Sequence, residues 1–197
     1  MINIRSVTWM LNSDYSEKEF EIIEKVNLKF DNSEFFVRTK RATLPCISEP
    51  LNLKNIDYLN SLCLTHDIRW FNIPIVPSNN KKIWQFAYNV LKNYEQSFVN
   101  VLAVQDGKIN YQILDESLKL IKKTSNISIN GKDNFRLGLS VNVKPNCPFF
   151  PFSISDGKFG FSIALELTQD INMIICNNSK LNLNELRTNI INTLYPQ

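Results

Sequence analysis

The sequence predicts an α/β protein built on a mostly parallel sheet, and three observations carry that expectation. Strand-like runs alternate with amphipathic helical runs along nearly the whole chain. Residues 98–104 (FVNVLAV) are almost continuously apolar, as a strand buried on both faces must be. The resulting order, β-α-β-α-β-α-β-α-β-β, then a short apolar run and a last helix, implies crossovers between parallel neighbours. Such a sheet is either open or curled toward a barrel, and it forms one domain over residues 1–197.

Residues 4–11 alternate and are rich in β-formers, which makes them the first strand. Ser16 followed by Glu19 is a capping box, and Phe20, Ile23, Val26 and Phe30 continue it as a helical stripe. Residues 34–44 read as a second strand stopped by Pro45, and residues 51–64 as a helix through Ile56, Leu59, Leu62 and Cys63. In a third strand at 68–76, Pro74 cannot donate to a ladder, so it belongs at an edge or an end. Residues 79–96 follow as a helix with Ile83, Phe86, Ala87, Val90 and Tyr94 on one face. After the apolar strand, Asp106-Gly107 turns the chain into a helix over 110–123.

The stretch 134–166 (NFRLGLSVNVKPNCPFFPFSISDGKFGFSIALE) is the most specific in the chain. Strand-like runs at 135–143 and 159–167 flank a loop with three prolines, two phenylalanines and one cysteine in the seven residues from Pro145 to Pro151. An apolar run at 171–176 is compatible with one more strand, and residues 183–194 read as the closing helix.

Composition narrows function mainly by exclusion. A net charge of +3 with 21% charged residues lacks the dense cationic face of a nucleic-acid binder. Five glycines in 197 residues is less than half of average usage, and none cluster as phosphate-cradling loops require. The four cysteines, Cys46, Cys63, Cys147 and Cys176, form no C-x-x-C pair, and the single histidine, His66, is joined to no metal-ligand spacing. With no signal-like or membrane-spanning apolar run, a cytoplasmic protein with reduced thiols is expected. These features suggest neither a cofactor nor a metal.

Five segments together resemble an uncharacterised family, domain of unknown function 711 (DUF711). They are IRSVT (4–8), TKRATLP (39–45), RWFNIPI (69–75), NFRLGLSVNVKPNCPFFP (134–151) and GFSIALEL (160–167). The resemblance implies a barrel-like α/β fold similar to that of the glycyl-radical enzymes. It also implies members about twice as long, so that this chain corresponds to an N-terminal half or a shortened version. It does not bring radical chemistry with it, because the chain has no recognisable radical-glycine segment and no adjacent cysteines.

Arg5, Arg41 and Arg136 fall on predicted strands, and facing a common cavity they would bind a carboxylate or phosphate. Separate structural pairs are the plainer alternative. Glu166 is their natural intramolecular partner, or an acid/base group. Cys147 is placed after a strand, where parallel α/β folds carry ligands, although an inert buried thiol is the simpler reading. Phe149 and Phe150 would line a pocket or cap the sheet as core, and Asn142 and Asn146 would orient a polar ligand or satisfy loop backbone groups. Two functions fit. One is a protein, enzymatic or not, that binds a small anionic molecule at the strand carboxyl ends. The other is a non-catalytic half-barrel or regulatory subunit that completes its sheet by self-association, as a homo-oligomer, or with another chain.

Overall fold

Alternating apolar strands and amphipathic helices assemble into a seven-stranded, mostly parallel sheet. The structure is a computed structural model that describes residues 3–77, 81–105, 107–177 and 182–194. Elements run β1 (Asn3–Met10), α1 (Glu17–Asp31), β2 (Lys40–Thr43), α2 (Leu53–Thr65), β3 (Trp70–Ile75), α3 (Lys81–Asn93) and β4 (Ser97–Gln105). They continue as β5 (Lys108–Ile109), α4 (Tyr111–Thr124), a 3-10 segment (Ile129–Arg136), β6 (Leu137–Val141), β7 (Gly160–Glu166), α5 (Thr168–Asn177) and α6 (Leu183–Leu194).

β1, β2, β3 and β4 pair in sequence order and in parallel, and β6 adds to β4 in the same sense. β7 runs antiparallel along the other side of β1, and β5 makes a short hairpin with the end of β4. Among the described residues β6 and β7 do not pair, so the sheet is open. Alternation divides it into two faces. Val7, Trp9, Ala42, Phe71, Ile73, Val99 and Val101 lie in the core with Phe20 and Ile23 of α1, Ile56 and Leu59 of α2, and Ile83 and Val90 of α3.

The second face carries a buried polar row beside buried Met10, Phe98 and Leu102. Ser6, Thr8, Thr43, Asn72, Asn100 and Ser140 all have 2% exposure or less, and the segment after β6 reaches part of this face. Thr8 Oγ1 donates to the Pro148 carbonyl at 3.2 Å, Asn72 Nδ2 to the Ser153 carbonyl at 2.6 Å, and Ser155 Oγ to the Leu11 carbonyl at 2.9 Å. Gly138 admits the covering segment, since a Cβ there would stand 3.0 Å from Pro151 Cγ. The Phe150-Pro151 peptide is cis.

Several boundaries differ from the sequence expectation. The run at 34–44 is regular strand only over Lys40–Thr43, because the Thr39 hydroxyl donates to the Arg5 carbonyl and upstream pairing reduces to an Ile4–Val37 bridge. Residues 171–176 lie in α5, where Ile171, Ile174 and Ile175 follow helical spacing; a short apolar run does not distinguish the two periods. Pro74 stands next to last in β3, a strand between two neighbours, and its carbonyl accepts from Ile47 N at 3.0 Å. The predicted turn residue Asp106 and helix-start residues Asn79 and Asn80 lie outside the described residues. Among those residues, no helix is long and apolar enough to cross a membrane.

Candidate functional site

The second face carries a group of arginines near the amino ends of the strands. In-register pairing sets Thr8 of β1 beside Arg41 of β2, and Arg41 beside Trp70 of β3. Arg41 is half-buried; its Nε donates to Thr39 Oγ1 at 3.1 Å and its guanidinium lies 5.3 Å from the centre of the Phe150 ring. Burial, and then the charges of Arg5, Arg38 and Arg69, push its pKa below the usual arginine value. Among the described residues no carboxylate lies within 4 Å of it.

Arg5 and Arg38 share Glu166, at 3.9 and 3.4 Å, because antiparallel pairing sets Glu166 opposite Asn3 at the foot of β1. Both arginine side chains are more than half exposed, so these contacts are worth at most about 1 kcal/mol each. Exposed Arg69 lays its guanidinium over Trp70, 5.0 Å from the ring centre.

Beside this group opens a cleft of about 730 Å³ lined by Arg69, Trp70, Lys92, Phe98, Lys132 and Phe135, among others. Its floor is a chain of edge-to-face aromatic contacts, Trp70–Phe98 at 5.5 Å and Phe98–Phe135 at 5.9 Å. Phe98 also meets Phe150 at 5.1 Å, which joins the cleft to the Arg41 face. Arg69, Lys92 and Lys132 bring cations to the rim, against the carboxylate of Glu95.

Arg136 lines the cleft wall but is committed to structure. It donates to Asp133 Oδ1 at 2.7 and 3.2 Å, to the Tyr94 and Ser97 carbonyls at 2.9 and 3.0 Å, and to the Leu91 carbonyl. It thereby satisfies the Leu91 carbonyl in the last turn of α3 and the Tyr94 and Ser97 carbonyls at the turn into β4. Burial opposes the charged form of Asp133, yet the nearby Ser128 hydroxyl and the Arg136 guanidinium together outweigh it and hold that carboxyl below the usual range.

The structure thus brings Arg5 to Glu166 and Arg41 to Phe150, and places Arg38 and Arg69 with them. The other sequence candidates take local roles. Asn142 accepts from Gly107 N at 3.0 Å, and Asn146 bonds Asp156 at 2.9 and 3.2 Å; both adopt positive φ, so each stabilises a turn. Cys147 is half-buried in the covering segment, its carbonyl accepting from Ile154 N at 3.0 Å. Phe149 is 63% exposed. Burial pushes the Cys46 thiol up to about 11 and raises Cys63 as well. His66 faces Glu24 at 3.1 Å and packs on the Phe20 ring.

Sequence reasoning passed over Arg69, Trp70, Phe98 and Phe135. Their only local signal was the Arg69-Trp70 pair opening a strand. It also missed the buried polar row, where Asn100 Nδ2 and Oδ1, Asn72 Oδ1 and Ser153 Oγ have no hydrogen-bond partner among the described residues. Among those residues no group of three or more His, Cys, Asp or Glu side chains is placed to hold a metal.

The family described as Uncharacterised ACR (DUF711) matches residues 48–196. No curated protein matches the chain, and no solved structure does.

Proposed function

The chain belongs to the Uncharacterised ACR (DUF711) family, and we propose that it binds a small anionic molecule where the arginine face meets the cleft. The observation that supports this most is Arg41. Its half-buried charge is surrounded by three further arginines and has no carboxylate within 4 Å among the described residues. Concentrated positive charge of this kind costs folding free energy through self-repulsion, and a bound anion removes that cost. Arg69 belongs both to the charges around Arg41 and to the cleft lining, so it is the residue that joins the two. In this reading Glu166 positions Arg5 and Arg38, and Phe150 supports Arg41. The anion approaches from the amino ends of the strands, opposite to the side favoured by the sequence. Titration with inorganic phosphate, followed by calorimetry, tests it. Binding is expected to weaken about tenfold in Arg69→Ala and to weaken further with added salt, since a charged hydrogen bond contributes about 1.5–3 kcal/mol. Equal affinity in the variant and the parent would overturn the assignment.

A second reading rests on β7. This strand has no partner on its outer side among the described residues, and Phe161, Ile163 and Leu165 are 45%, 44% and 46% exposed along it. Unprotected edges of this kind recruit another strand. The reading is a subunit that completes its sheet, barrel-like, by self-association. Sedimentation should then show a dimer that Ile163→Lys converts to monomer; a monomeric parent protein removes this reading.

A further inference from the structure

The cleft is too large for a lone anion, and its floor is aromatic. At about 730 Å³ it matches the range of pockets that enclose whole metabolites, roughly 300–1,000 Å³. An inorganic phosphate on Arg69 would leave most of it unfilled. Phe135 is 76% exposed although it stands among the residues lining this cleft, and its edge-to-face contact with Phe98 leaves much of the ring uncovered. A large apolar ring held open beside three rim cations, Arg69, Lys92 and Lys132, offers two different recognition chemistries at once. Flat π-systems gain by stacking on such a ring, and phosphate or carboxylate groups gain from the cations. Trp70 limits where the ring can go, because the Arg69 guanidinium already lies over its face at 5.0 Å. Phe135 is therefore the open platform.

Resting on the anion-site reading above, we infer that the ligand is a flat aromatic ring carrying a phosphate group, of the nucleoside monophosphate class. Its ring lies on Phe135 and its phosphate lies where Arg69 meets Arg41, with Lys92 and Lys132 lining the same cleft.

The test compares three probes, adenosine 5′-monophosphate, adenosine and inorganic phosphate, on the full chain and on Phe135→Ala. Because Phe135 is so exposed, the variant retains its fold, which circular dichroism verifies. The monophosphate should bind the parent about tenfold more tightly than inorganic phosphate, the increment expected of one stacked base. Phe135→Ala should erase that difference and leave phosphate binding unchanged. If monophosphate and phosphate bind the parent equally, the aromatic class is wrong and the anion site stands. A monophosphate preference that survives Phe135→Ala removes the stacking role assigned to Phe135. Adenosine binding as tightly as its monophosphate overturns the phosphate contact. Binding by none of the three overturns the anion-site reading itself.

Discussion

Arg136→Met is expected to lower folding stability by about 3–5 kcal/mol, measured by urea denaturation, because it leaves a buried charge without its partner. The Arg136 and Asp133 side chains are only 9% and 11% exposed and meet at 2.7 Å. The same substitution removes a guanidinium donor from the Leu91, Tyr94 and Ser97 carbonyls, of which the Tyr94 carbonyl keeps Ser97 N and Oγ. The double variant Asp133→Asn/Arg136→Met should recover part of the loss, since the uncompensated charge is then gone. An additive double variant would mean that the ion pair is not the source of the effect. The pair also predicts an acid limb. The Asp133 carboxyl titrates lower in the folded chain than in the unfolded one, where about 3.9 is usual. Its contribution is therefore complete above that value and is lost as pH falls through the folded one. In Arg136→Met this limb should flatten; an unchanged acid profile would show that Arg136 does not hold the carboxylate down.

Arg41→Met should move stability and affinity in opposite directions. Methionine keeps an apolar stem against Phe150 and deletes a cation that has Arg5, Arg38 and Arg69 for neighbours. Relief of that repulsion is expected to raise folding stability by about 1 kcal/mol, the scale of a unit-charge interaction across a few ångströms in a watery environment. Affinity for inorganic phosphate should fall about 10- to 100-fold, the loss that follows from removing one charge-assisted contact. A purely structural Arg41 gives the reverse pattern, with stability reduced and phosphate affinity unchanged. Thermal unfolding and calorimetry on the same preparation separate the two.

The site candidates divided according to how locally their roles are set. Arg41 was legible because a charged residue between β-formers must point to one face of a sheet. Its pairing with Phe150, 109 positions further along the chain, was not, since nothing local fixes where the covering segment lands. Arg136 reads in sequence like Arg41, an arginine at a strand start, yet its fork bonds carbonyls at the end of α3 and the turn into β4. Arg136 is the last residue of the 3-10 segment, within which Asn130 and Gly131 both take φ 65, and its carbonyl partners lie about 40 residues earlier in the chain. Asn142 and Asn146 resemble ligand-orienting amides; both have positive φ, and their side-chain oxygens accept from the backbone N–H groups of Gly107 and Asp156.

By itself the sequence determined the α/β class, the order of most elements, the apolar β4 and the family resemblance. Each of these follows from local periodicity or from contiguous motifs, which one segment carries without reference to another. Only the tertiary structure decided that the sheet stays open among the described residues, that β7 runs antiparallel beside β1, and that 171–176 is helical. It also decided which arginines share a face and which are spent on backbone carbonyls. Those outcomes depend on strand register and on contacts between residues far apart in the chain, where local propensity is silent and the packing of the whole sheet selects the answer.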